Sequence, residues 1–193
     1  MIALKNTLLL GLLAMAMLAC KSDMIGRIDA AEMENGGYVR TVTPYPVLSS
    51  TFFFNKASLS NTAMSFVAEA ITANQGSFFS SYELTVGFVD NTRSQGSNAS
   101  VNPLALKSIA ASAFAKNDTT GYPRAVISVT AAEALATLKL PADSVNVGDY
   151  FEIRGTMKLT TGQSFNATNT GVNITGGAFY SSPFYYRVNV ISR

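Results

Sequence analysis

The sequence predicts a mainly β fold, a sandwich with one short crossover helix, and three observations lead there. The stretches "SYELTVGFVD", "YFEIRGTMKLT" and "SPFYYRVNVIS" alternate apolar and polar residues with the period of two that a half-buried strand requires. A single capped helix, "TAAEALATL", sits between two strand-like stretches. The chain has 193 residues, 48% of them hydrophobic and 13% charged, which is enough for one ordinary core.

The elements follow in chain order. "YVRTVT", Tyr38 to Thr43, is rich in β-branched residues and is punctuated by Pro44 and Pro46. Thr51 to Asn55 carries Phe52, Phe53 and Phe54 in succession, the pattern of a strand buried on both faces or of a strand end plugging the core. Ala63 to Thr72, "AMSFVAEAIT", has helical propensity, yet Phe66, Val67, Ile71 and the flanking turn residues place it as a strand. In "SYELTVGFVD" Tyr82, Leu84, Val86 and Phe88 share one face, and the polar run Asn91 to Asn102 predicts a long exposed loop.

"VTAAEALATLKLPADS" predicts the helix. Thr130 stands at the N-cap and Glu133 three residues later completes a capping box, with Leu135 and Leu138 toward the core and Pro141 as the stop. "YFEIRGTMKLT" then turns Phe151, Ile153, Met157 and Leu159 inward and Glu152, Arg154, Thr156 and Lys158 outward. The turn "TTGQ" predicts a hairpin to "SFNATN", and the final strand sets Phe184, Tyr186, Val188 and Val190 on one face.

The N-terminal segment reads differently. Lys5 precedes an uncharged run from Leu8 to Ala19, and Ala19 stands just before Cys20. Twelve helical residues rise only about 18 Å, against roughly 30 Å of bilayer hydrocarbon, so the run predicts a removable signal over residues 1–19. "MLAC", Met17 to Cys20, resembles the lipobox of bacterial lipoproteins, in which the cysteine sulfur receives a diacylglyceryl group; the leucine usually found three places before the cysteine is here Met17. An ordinary cleaved signal with an incidental cysteine is the alternative. The absence of any second cysteine favours acylation, because Cys20 has no disulfide partner in the chain. Residues 20–37 read as a flexible tether, and residues 38–193 as a single domain.

The runs "GYPRAVISVTAAEALATLKLPADSVNVGDYFEIRGTMKLTTGQSF" and "GGAFYSSPFYYRVNVIS" resemble small Bacteroidota outer-membrane lipoproteins with immunoglobulin-like folds, of the kind associated with SusC/SusD-type uptake systems. "VTAAEALATLKL" followed by "VGDYFEIRG" is similar to the N-terminal domain of SusE-like starch-binding lipoproteins. The resemblance implies an immunoglobulin-like (fibronectin III-like) sandwich, outer-membrane attachment, SusC/SusD-like partners and an accessory role in nutrient capture. Lys21 rather than aspartate follows the cysteine, and Asp23 supplies one acidic residue, which leans the location toward the cell surface over the periplasmic face.

Composition narrows the chemistry. The chain has no histidine, so the usual general base, the His-assisted nucleophile and the commonest metal ligand are missing. Glu69, Glu83, Asp90, Asp118, Glu133, Asp149 and Glu152 each read as an outward strand position, a turn or a cap. No acidic loop of the EF-hand type occurs. No catalytic residue, metal or cofactor is therefore assigned. The net charge of +2 is scattered singly, which excludes nucleic acid as the expected partner.

Aromatic residues are the candidates for recognition. Tyr180, Phe184, Tyr185 and Tyr186 cluster in "FYSSPFYYR", and alternation places Tyr185 and Arg187 opposite Phe184 and Tyr186, an aromatic and a guanidinium that could meet a glycan. Filling of the core and its rim is the plainer role for these rings. Thr119 and Ser144 lie in Asp-Thr-Thr and Asp-Ser-Val triplets of the type O-glycosylated in Bacteroidota, and both triplets also read as turns. The expected function is a lipid-anchored, non-catalytic binding or accessory protein. The alternative is a structural or adhesive envelope protein.

Overall fold

The computed structural model describes residues 36–94, 96–176 and 184–192. The predicted signal, Cys20 and nearly all of the predicted tether lie outside them, as does Tyr180. The compact unit begins at Gly36.

Ten strands form two sheets among the described residues: β1 (Gly37–Thr43), β2 (Phe52–Asn55), β3 (Ala63–Thr72), β4 (Phe79–Val89), β5 (Val101–Ala110), β6 (Ala115–Lys116), β7 (Pro123–Thr130), β8 (Tyr150–Leu159), β9 (Ser164–Asn166) and β10 (Tyr185–Ile191). One sheet runs β1-β3-β7-β6; the other runs β2-β10-β8-β4-β5, with β9 also on β8. Helix α1 (Ala131–Leu138) connects β7 to the second sheet through a short 3-10 turn.

The period-two pattern explains how the layers meet. Tyr82, Leu84, Val86 and Phe88 of β4, Phe151, Ile153, Met157 and Leu159 of β8, and Tyr186, Val188 and Val190 of β10 are all buried on one side of the larger sheet. Met64, Phe66, Ala68 and Ala70 of β3 are buried from the smaller sheet. Phe66 stacks on Tyr186 with ring centres 4.5 Å apart, so a β3 ring and a β10 ring pack the two sheets together. The Tyr186 hydroxyl reaches Thr41 Oγ1 of β1 at 2.9 Å, giving this buried ring a polar partner in the opposite sheet. The expected β assignment of Ala63 to Thr72 holds, because tertiary burial of alternate residues outweighs the helical propensity of its alanines.

Four expectations need correction. Phe52 and Phe54 are buried, but Phe53 between them is only half-buried, so β2 has one core face. The loop after β4 ends at Ser100, and Val101 and Asn102 already belong to β5, an edge strand that pairs with β4 alone. Helix α1 has its capping box as expected, yet Ala131, Ala134 and Leu138 are its buried residues, while Leu135 is only partly covered. It stops before Pro141: Lys139 takes a left-handed conformation (φ 53°), and the Leu140 N–H returns to the Leu135 carbonyl at 3.0 Å.

Candidate functional site

The outward face of the larger sheet holds both predicted recognition residues. In the β10–β8 register Tyr185 is opposite Arg154, Arg187 opposite Glu152, and Asn189 opposite Tyr150. Since alternation turns Tyr186 and Val188 into the core, these six side chains share the other surface.

They pair diagonally. The Tyr185 hydroxyl donates to Glu152 Oε1 at 2.9 Å, and Arg154 Nη2 donates to Glu152 Oε2 at 2.9 Å. The Arg154 guanidinium also lies 5.5 Å from the Tyr185 ring centre. Arg187 lies over Tyr150, 3.8 Å from the ring centre. Burial, with the Glu152 hydrogen bond adding to it, pushes the Tyr185 hydroxyl up to about 12, so it is a neutral donor at ordinary pH.

A cleft of about 170 Å³ opens beside Tyr185, with Thr85, Arg154, Thr156, Asn166 and Thr168 on its walls. Such a volume is below the roughly 300 Å³ at which drug-sized sites begin. Hydroxyl and amide groups of the threonines and Asn166 share its walls with Ala167 and the rings of Phe184 and Tyr185, and more of the exposed lining is apolar than polar. Arg187 is not on its walls; the cleft and Arg187 flank Tyr185 and Glu152 on one continuous face.

The carboxylates sort into three kinds of place. Glu69, expected to point outward from its strand, does so but is completely covered. Arg40 of β1 and Arg124 of β7 stand directly opposite it in register on either side. Arg40 Nη2 bonds Glu69 Oε2, Arg124 Nε and Nη2 reach Oε1 at 2.9 and 2.8 Å, and the Thr120 hydroxyl donates to Oε1 at 2.6 Å. Burial acts to raise the Glu69 carboxyl, and the Thr120, Arg40 and Arg124 contacts outweigh it, leaving the group below its ordinary range.

Asp149 is also fully buried, more than a turn residue: its Oδ1 accepts the Asn91 and Thr92 N–H groups at 3.0 and 2.9 Å, and Oδ2 accepts Asn146 N–H at 2.7 Å. Asp90 receives the Arg93 and Ala99 N–H groups at 2.7 and 3.0 Å. Glu133 closes the capping box and meets Lys107 at 2.8 Å. Among the described residues no carboxylate is on the walls of the cleft. Sequence reasoning missed the Glu69 cluster because its partners come from 29 and 55 residues away.

The remaining predicted sites fall elsewhere. Thr119 is exposed in the turn after β6, where its N–H donates to Asn117 Oδ1 at 3.2 Å. Ser144 is partly covered, and its hydroxyl donates to the Pro141 carbonyl at 2.7 Å. Among the described residues no three or more Cys, Asp or Glu side chains gather where they could hold a metal ion, and no helix is long and apolar enough to cross a membrane.

No protein-family model matches the chain, and no curated protein matches it.

Proposed function

We propose that this chain is a lipid-anchored cell-envelope protein, held through acylated Cys20 at the outer membrane and facing the cell surface. Its β-domain, immunoglobulin-like in fold, serves as a non-catalytic glycan-binding accessory of a nutrient-uptake complex with SusC/SusD-like partners. The observation that supports a binding surface is the face around Tyr185, where a half-buried ring, two guanidinium groups and a small cleft of mixed lining lie side by side. The anchor is supported by the signal-like run ending in the chain's single cysteine. Two or three acyl chains on that residue make attachment stable where one would be marginal.

Two measurements test this. Retention of the protein in gels containing polysaccharide is expected to weaken in Tyr185→Ala, and wild-type protein that passes unretarded through every polymer sinks the glycan reading. Mass spectrometry of the mature protein is expected to find an acylated Cys20 at its N-terminus, and an intact Met1 or an unmodified Cys20 sinks the anchor.

The second reading, a structural or adhesive envelope protein, draws on Val126, which is 72% exposed in mid-strand on the outer face of β7. It predicts co-purification with other outer-membrane proteins after mild detergent extraction.

A further inference from the structure

Arg187 stands directly opposite Glu152 across β10 and β8, the position from which oppositely charged side chains normally pair. The pair is not made. Glu152 has committed one oxygen to the Tyr185 hydroxyl and the other to Arg154. Arg187 turns away along the strand, stacks on Tyr150 at 3.8 Å, and donates its Nε–H to Asn189 Oδ1 at 2.8 Å. Asn189 is fixed in turn, its amide donating to the Ser49 carbonyl at 2.6 Å. Among the described residues no carboxylate lies within ion-pair distance of Arg187.

This arrangement uses the flat face and the Nε–H of the guanidinium, and among the described residues neither Nη group has a hydrogen-bond or ion-pair partner. Those groups carry parallel donors that match the two oxygens of a carboxylate, or two oxygens of a sulfate. Stacking and the Asn189 bond hold the fork in place beforehand, so less rotamer freedom is lost when an anion arrives. Arg154 and Arg187 against Glu152 leave the six-residue face with one excess positive charge. Tyr185 and Arg187 are two residues apart on β10, roughly 6.5 Å at strand rise, close enough for one short stretch of sugar chain to meet both.

We infer that Arg187 is an oxyanion subsite, and that the glycan bound on this face is acidic, bearing carboxylate or sulfate groups. The inference rests on the glycan-binding reading above.

Affinity electrophoresis of the full chain through polygalacturonate, dextran sulfate and unmodified dextran tests it. Wild-type protein is expected to be retarded by a polyanion more strongly than by dextran; retardation by polygalacturonate alone assigns a carboxylated ligand, and by dextran sulfate alone a sulfated one. Arg187→Gln is expected to weaken the preferred polyanion by about tenfold or more. Arg187→Lys, which keeps the charge and loses the fork, is expected to fall between, and it reports on the subsite if the glutamine variant folds poorly. Lys116→Gln removes one positive charge from β6 in the other sheet and is expected to leave retention within about twofold of wild type. Equal retardation by dextran, an Arg187→Gln affinity within twofold of wild type, or an equal loss in Lys116→Gln overturns the acidic-ligand inference while glycan binding stands. No retardation by any of the three polymers overturns both.

Discussion

A β-carbon on Gly155 would lie 1.9 Å from the hydroxyl oxygen of Tyr82, so the β8 glycine is the space into which a fully buried β4 ring is packed. The Tyr82 hydroxyl makes no hydrogen bond of good geometry among the described residues; it interacts with the Tyr186 hydroxyl, which is itself engaged with Thr41. Burial, with the Tyr186 hydroxyl adding to it, pushes the Tyr82 hydroxyl well above its ordinary range, so it stays neutral in the folded protein. Gly155→Ala is expected to cost about 3 kcal/mol, the upper end of overpacking penalties, because the ring has no free side to move toward. Tyr82→Phe removes a buried oxygen whose polar neighbour is the Tyr186 hydroxyl and which makes no well-formed hydrogen bond, and its stability should stay within about 1 kcal/mol of wild type. Urea unfolding of the two variants checks both, and a Gly155→Ala protein as stable as wild type refutes this packing.

The Glu69 cluster makes a second prediction. Glu69→Ala leaves Arg40 and Arg124 facing each other across an empty central position, with Arg40 Nε already buried without a partner among the described residues. Removing one member of a buried ion cluster costs about 3–5 kcal/mol, and the lower end applies because the two arginine side chains keep 34% and 26% of their exposure. Denaturant midpoints measure the loss, and a change below about 1 kcal/mol would show that the cluster is dispensable.

Stability should fall on the acid side. Glu69, Asp90 and Glu133 are all held below their ordinary values of 4.5, 3.8 and 4.5. For Asp90 the leading cause is the Ala99 N–H; for Glu133 burial opposes the shift, and Lys107 and Thr130 outweigh it. A depressed carboxyl binds fewer protons in the native state than in the unfolded chain, so its contribution is present above about pH 4.5 and lost as the pH drops through the folded value. Thermal midpoints should therefore vary little from this source between pH 7 and 5 and decline below about 4.5. Glu69→Gln should start lower and decline less steeply; an identical slope in the variant would remove Glu69 from the acid transition.

The strands that could be read from the sequence are those whose burial is written in their own alternation. β4, β8 and β10 each turn one full face inward, so every second residue is apolar without reference to any other part of the chain. β5 has no such signature: it is an edge strand, its residues 102–105 are exposed, and Pro103 and Lys107 suit an edge while masking a strand. The same locality limits the site. Tyr185 and Arg187 could be placed on one face by counting, but their partners Glu152 and Tyr150 follow from the β10–β8 register, which no short window contains. Glu69 looked like an ordinary solvent-facing strand residue because Arg40 and Arg124 cover it from neighbouring strands.

Asp149 gives the clearest case of a turn residue whose role is tertiary. Its two oxygens accept three backbone N–H groups from two segments, Asn91 and Thr92 after β4 and Asn146 before β8. Its carbonyl accepts the Val190 N–H at 2.9 Å, tying the same point to the end of β10. Asp149→Asn keeps the shape but substitutes an NH₂ for one acceptor, so at least one N–H faces another donor and loses a charge-assisted bond. The expected cost is about 1.5–3 kcal/mol. Because the lost bonds hold the loop after β4, the amides of Asn91 and Thr92 should exchange hydrogen faster in the variant while those of β8 change little. Residue-resolved hydrogen exchange measures this, and unchanged protection at residues 91 and 92 would show that the loop does not depend on the Asp149 carboxylate.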